Sequence, residues 1–165
     1  MIMRIAGVAE ESIVDGPGFR YAVFAQGCHV HCPGCHNPET HDPEGGRDID
    51  TDDMIAQFSD NVLLDGITLS GGDPFLQPEA CLALAKAAHA AGLNVWAYSG
   101  QTYEALAAVK RPFLPELLEE IDVLVDGPFV QAKRTLDMRF RGSSNQRIID
   151  MKATRSAGTV IELEI

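Results

Sequence analysis

Short apolar runs alternate along this chain with longer stretches whose apolar residues recur every three or four positions. Residues 20–26 carry Tyr-Ala-Val-Phe-Ala, residues 66–69 Gly-Ile-Thr-Leu, and residues 93–98 and 121–125 two further apolar runs. Runs this short, bounded by Gly, Pro, Asp and Ser, read as buried strands. Residues 147–150 and 159–165 read as two final strands. Helical spacing fills the gaps. Thr51 caps a short helix with Met54, Ile55 and Phe58 on one face. Pro78 opens the next helix and Gly92 closes it, with Leu82, Leu84, Ala85 and Ala88 forming a face of small apolar residues. Residues 102–109 read as another helix, broken by Pro112 and Pro115, and residues 116–120 as a short one. Residues 36–50 and 131–145 are rich in turn formers and polar groups and read as exposed loops.

Strands alternating with helices predict an α/β protein with a parallel sheet and helical crossovers. The chain of 165 residues is one domain's worth, 1–165. Six strands are too few for a closed eight-stranded barrel. In sheets of this class, chemistry gathers at the C-terminal strand ends, and the unusual stretches of this sequence all follow strands.

Charge narrows the partners. Thirteen Lys and Arg against 24 Asp and Glu give a formal charge of −11, which argues against a nucleic-acid backbone as ligand. The excess is uneven. From residue 131 onward seven cations face four acids, whereas the first 130 residues hold six cations against twenty acids. A basic end on an acidic body reads as a docking face or as a solvated loop. No apolar run is long enough to span a bilayer, and the N-terminus carries no secretory pattern. A reducing cytoplasm is the expected compartment, because the four cysteines do not form a disulfide framework.

Three of the four cysteines, Cys28, Cys32 and Cys35, lie in a C-x3-C-x2-C stretch after the first predicted strand. Thiolates this close converge on a metal ion or an iron–sulfur cluster. A structural zinc site wants four protein ligands, which His29, His31 or His36 could complete. A [4Fe–4S] cluster has four irons, and three cysteines leave one iron open for a substrate. Cys81, among Ala and Leu in a helical stretch, reads as a buried inert thiol. Further on, Ser70-Gly71-Gly72-Asp73-Pro74 follows a strand. Its glycines permit close approach of a ligand or a positive φ, and a plain strand-to-helix turn is the alternative.

With Asp15-Gly16-Pro17-Gly18-Phe19-Arg20 upstream, this combination resembles the radical S-adenosylmethionine (SAM) superfamily. Within it, the chain resembles the small activating enzymes of glycyl radical enzymes, above all those of anaerobic (class III) ribonucleoside-triphosphate reductases. Most of the superfamily has an aromatic residue before the third cysteine. Here Gly34 stands there after Pro33, the form the reductase-activating group shows.

The resemblance implies an open, partial (β/α)6 barrel. It implies a [4Fe–4S] cluster on Cys28, Cys32 and Cys35, the catalytic and metal-binding residues, and SAM on the open iron. SAM is reductively cleaved, and the 5′-deoxyadenosyl radical takes a hydrogen atom from a glycine of the reductase. Gly34, Cys35, His36, Gly71, Gly72, Asp73, Ser99 and Asp126 are the expected SAM-side residues. Gly71 and Gly72 receive its amino group, Asp73 counters its charge, and Ser99 and Asp126 reach its carboxylate or ribose. His36 is the candidate to cover the adenine that Gly34 leaves bare. Some relatives carry an acid near Ala97, which this chain lacks. The partners implied are the reductase, as protein substrate, and a flavodoxin-like or other one-electron reductant. The competing readings are an activase of another glycyl radical enzyme, of the pyruvate formate-lyase type, and a zinc or iron–sulfur module with no enzymatic role. Residues 141–147 are too polar for a core and match a signature of the family, with no role that the residues themselves reveal.

Overall fold

The computed structural model describes residues 1–28, 33–34 and 38–164. Its strands are β1 (Ile2–Ser12), β2 (Arg20–Ala25), β3 (Arg47–Asp50), β4 (Gly66–Gly71), β5 (Asn94–Tyr98), β6 (Val123–Asp126) and β7 (Arg147–Asp150). The helices are α1 (Thr51–Ser59), α2 (Pro78–Ala90), α3 (Tyr103–Ala108), α4 (Leu114–Glu120) and α5 (Met151–Ala157). All seven strands join one open sheet in the order β3-β1-β2-β4-β5-β6-β7. The expected α/β class and open sheet hold. The parallel part is the run β2-β4-β5-β6, and the flanking strands β1, β3 and β7 pair antiparallel.

The differences from the sequence expectation have local causes. In β1 only Met3 and Ile5 give an apolar alternation, and Glu10 and Glu11 end it. β3 is Arg-Asp-Ile-Asp, a charged edge strand that apolar periodicity cannot reveal. The strand expected over residues 159–165 is not formed by the described residues 159–164. A single bridge, Ile149 to Glu162, carries that segment after the left-handed Gly158 ends α5. α5 itself was not expected; Asp150 caps it by accepting from the Ala153 N–H at 3.0 Å. In α1 the cap is Asp50, which accepts from Asp52, and Thr51 is the first helical residue. Pro115 lies in the first turn of α4, where its missing N–H costs nothing.

Strand alternation divides the sheet into two faces. Tyr21, Val23, Ile67, Leu69, Val95 and Leu124 face the main core, where α1, α2 and α4 pack. Leu84 and Ala88 of α2 are fully buried there, and truncating a leucine so placed costs about 3 kcal/mol. The other face carries Arg20, Thr68, Trp96, Val123, Val125 and Ile148. Arg20 is completely buried and has no carboxylate partner among the described residues. Its guanidinium donates to Thr68 Oγ1 at 2.8 Å, to the carbonyls of Ile67 and Pro17 at 2.7 and 3.1 Å, and to Asn94 Oδ1 at 2.6 Å. Trp96 lies beside it, 5.7 Å from ring centre to guanidinium carbon. Burial pulls its pKa down to about 10, against the fields of Tyr98, Asp65 and Asp122, so it stays charged at neutral pH. Arg20 thereby fastens the 13–19 loop to β4 and β5. Higher on this face, towards the C-terminal strand ends, Phe24, Ser70 and Tyr98 remain half-buried.

At the opposite end, His89 closes α2 between two acids. Nδ1 lies 2.8 Å from Glu120 and Nε2 2.8 Å from Asp122. Both ring nitrogens can donate only in the imidazolium form. Burial opposes that charge, but the bonds to Asp122 and Glu120 outweigh it and raise the pKa above its ordinary value. A group with a raised folded pKa stabilises fully below its unfolded value of about 6.5, and loses that contribution as pH rises through the folded pKa. Thermal melts of wild type should therefore show stability falling across that window. His89→Gln should lower stability by about 1 kcal/mol at pH 6 and flatten the slope. An unchanged slope in the variant would remove His89 as its source.

Candidate functional site: the cysteine loop and the strand ends around it

β2 delivers the chain to Gln26, Gly27 and Cys28, and backbone hydrogen bonds fix that exit. Gly27 N–H donates to Thr40 O at 2.6 Å and Cys28 N–H to His41 O at 3.1 Å, so the two ends of the cysteine loop are tied together. From the next strand end, Gly72 N–H reaches Ala25 O and Asp73 N–H reaches Gly27 O, both at 2.8 Å. Two glutamines complete the base. Gln26 Nε2 donates to the carbonyls of Glu39 and Asp42 at 2.9 and 2.7 Å. Gln77 clasps Arg4 of β1 by a reciprocal pair of 2.8 Å bonds. Sequence reasoning missed both, because a lone glutamine after a strand carries no periodic or spacing signal.

Cys28 is buried on this base. Cys32, Cys35 and His36 lie outside the described residues. Among the described residues no group of three or more His, Cys, Asp or Glu side chains is placed to hold a metal. The donor chemistry nonetheless fits an iron–sulfur cluster, since one thiol is anchored on a hydrogen-bonded base and two more follow within seven residues in the sequence. Cys81 is elsewhere, inside α2, with its thiol against Pro74 O at 3.3 Å and its pKa pushed well up by burial.

The glycines after β4 are needed for a reason the sequence did not reveal. A Cβ on Gly71, whose φ is +100°, would stand 2.6 Å from Ala25 O. One on Gly72 would overlap the Gly27 carbonyl and stand 2.8 Å from Thr40 O. The close approach is to the base of the cysteine loop itself.

Asp73 and Ser99, expected on the SAM side, meet each other. Asp73 is 1 % exposed. Its Oδ1 accepts from Phe75 N–H at 3.0 Å, capping the 3-10 turn Pro74–Leu76. Its Oδ2 accepts from the Ser99 hydroxyl at 2.9 Å and Gly100 N–H at 3.2 Å. Burial pushes its carboxyl up, and these bonds pull against that. Asp126 ends β6 as expected, but alternation sets it on the helix side of the sheet. Its carboxylate accepts from Tyr103 N–H at 2.7 Å and from Arg147 at 3.1 and 2.5 Å, and Arg147 forks on to Glu104. The hydrogen bonds that Arg147 donates to Asp126 and Glu104 drive its pKa far up.

The polar stretch 141–147 gains a role here. Gln146 Oε1 accepts from Gly142 and Ser143 N–H, while its Nε2 donates to Gly127 O at 3.0 Å. Asn145 donates to Pro128 O at 2.9 Å and Ser143 Oγ accepts from Val130 N–H at 3.2 Å. The stretch staples the return of the loop between β6 and β7 to its own start.

Comparison with known proteins follows this geometry. Residues 14–149 match the family model described as a 4Fe-4S single cluster domain. The anaerobic ribonucleoside-triphosphate reductase-activating protein of Salmonella typhimurium is 38 % identical over 143 residues, covering 81 % of this chain and 90 % of that protein. That of Escherichia coli K12 is 36 % identical over the same length and shares. The chain belongs to this family of activating proteins. The resemblance to activating enzymes of the radical SAM superfamily stands with that membership. The pyruvate formate-lyase 1-activating enzyme of Escherichia coli K12 is 30 % identical, covering 91 % of this chain and 61 % of that enzyme. Among solved structures, QueE from Escherichia coli superposes with a TM-score of 0.48 at 16 % identity, over 62 % of this chain and 54 % of that one.

Two outcomes test the geometry. Gly72→Val forces Gly27 and Thr40 apart and should destabilise the fold by about 2 kcal/mol, an overpacking cost. Because the displaced atoms are the loop base, iron bound on reconstitution should fall as well. Full iron content with an unchanged melt would mean that the loop yields freely. Arg147→Ala leaves Asp126 buried without its counter-ion and should cost about 3 kcal/mol in urea unfolding. A loss under 1 kcal/mol would show the pair to be dispensable.

Proposed function

We propose that this protein uses SAM and a [4Fe–4S] cluster to install the glycyl radical of an anaerobic ribonucleoside-triphosphate reductase. The observation that carries the reading is coverage: the chain spans 90 % of the reductase-activating relative but 61 % of the pyruvate formate-lyase-activating one. The cluster, when bound, supplies the electron that splits SAM, and the resulting 5′-deoxyadenosyl radical takes the glycine hydrogen.

The chain's own residues position that chemistry. Cys28, Cys32 and Cys35 are the three thiolate ligands, leaving one iron for SAM. Cys28 N–H is bonded to His41 O beside the bonds that hold Gly27 and Asp73, so the first ligand and the Gly71–Asp73 turn share one hydrogen-bonded base. Gly71 and Gly72 keep that junction closed. Asp73 and Ser99, joined at 2.9 Å, fix the neighbouring strand ends against each other. Gly34, Cys35, His36 and Asp126 complete the SAM side on this reading. Asp126 acts there through the backbone it pins, because both its oxygens are engaged. Phe24, Ser70 and Tyr98 form the half-open wall facing the reductase's glycine segment. No described helix is long and apolar enough to cross a membrane, and a cytoplasmic setting suits an oxygen-sensitive cluster.

Anaerobic reconstitution with iron and sulfide tests the reading. A brown protein that cleaves SAM under a chemical reductant, and raises a glycyl radical signal on the reductase by electron paramagnetic resonance, is the expected result. A colourless protein that binds zinc would sink it. Replacing Cys28, Cys32 or Cys35 by Ala should each abolish the cluster absorbance, because no other side chain replaces a thiolate on iron. Cys81→Ala should keep full iron content. Retention of the cluster in Cys35→Ala would overturn the ligand set.

A further inference from the structure

The loop between β6 and β7 gathers cations at one edge of the site. Lys133, Arg134 and Arg139 are exposed, with Leu136 at its tip 86 % exposed. The loop is rigid. Residues 134 and 143 form a bridge, Ser144 N–H donates to Lys133 O at 2.8 Å, and the 141–147 staple holds its return. It also touches the cysteine loop: a Cβ on Gly34 would stand 3.2 Å from the Gln131 side chain. Pro33 and Gly34 are themselves exposed there.

We propose that this loop is the docking site of the electron donor, an acidic protein that carries one electron. The proposal rests on the function given above and deepens it. Charge selects the partner, since the rest of the surface is acidic and would repel it. Proximity selects the donor over the reductase, since the loop abuts the turn just before Cys35. One electron leaves the donor and enters the cluster, and no proton or group moves with it. The chemistry of the patch agrees. A few cations around one apolar tip suit a brief, steered encounter. A substrate protein that must hold a glycine segment in place needs a larger apolar contact.

The test uses the reconstituted protein and a reduced flavodoxin as probe. Lys133→Ser/Arg134→Ser/Arg139→Ser should slow cluster reduction by flavodoxin about tenfold at low salt, with the difference shrinking as salt rises. Reduction by dithionite and association with the reductase should not change. A titration of flavodoxin into the protein without its cluster should show the same loss of affinity. Leu136→Asp, a single surface change, should weaken that binding too. Unchanged flavodoxin binding and reduction in both variants would overturn the proposal. So would loss of reductase association instead, or equal slowing with dithionite, or loss of self-association in place of donor binding. If the wild-type protein takes up no cluster, the proposed function falls, and the titration still decides the dock.

Discussion

The contact between the backbone after β2 and the backbone after β4 governs this molecule. Gly72 lies so close to Gly27 and Thr40 that no side chain fits. That closeness lets Asp73 N–H reach Gly27 O and Gly72 N–H reach Ala25 O. Buried amides must find partners, and here each partner belongs to the other loop. The result is a rigid seam under Cys28. A ligand loop mounted on such a seam has its first thiol placed before any cluster binds, which lowers the ordering cost of assembly. The same seam runs through Asp73 to Ser99 and the end of β5. Three consecutive parallel strands are thus cross-tied at the C-terminal ends, where the chemistry of this fold class belongs.

Buried charge is handled in two ways. Arg20 sits on the inner face with only neutral acceptors and an aromatic ring, which leaves it charged though its pKa is lowered. The neutral acceptors come from β4, β5 and the 13–19 loop, so the guanidinium acts as a three-way clasp. Asp126 sits on the other face and is met by a forked arginine and a helix N–H. An isolated carboxylate 1 % exposed would protonate or destabilise the fold; a paired one orders its surroundings.

Much of this was legible in the sequence. The parallel strands announced themselves as apolar runs, and α2 by its proline, glycine and small-residue face. The cysteine spacing and the glycine pair marked the site, and the family confirmed what those motifs resemble. Other features left no signal. β1 and β3 are edge strands whose pairing is long-range and whose side chains are mixed or charged. Gln26 and Gln77 act through side-chain amides on distant carbonyls, a geometry no local pattern encodes. Asp126 stood at the expected strand end, yet whether a strand-end residue faces the interior or the helices depends on register. Val125 shares the inner face with Trp96 and Leu124 lies in the main core, so Asp126 turns to the helices. The role of 141–147 was hidden for the same reason, since its partners are the carbonyls and N–H groups of residues 127–130.

The open sheet sets a final constraint. A closed barrel shields its interior with its own strands and helices. Here the parallel part stops at four strands, and β1 and β7 turn antiparallel at its flanks. The 13–19 loop, Phe140 and Leu163 cover the lower inner face, with Phe140 edge-on to Trp96 at 5.5 Å. Nothing among the described residues covers the upper wall in the same way. A small substrate in such a site would be exposed to water, and a reactive intermediate would be quenched. On the proposed function a protein substrate resolves this, its own surface supplying the missing wall. On the proposed reading the donor approaches from the side, where the basic loop lies against Gly34.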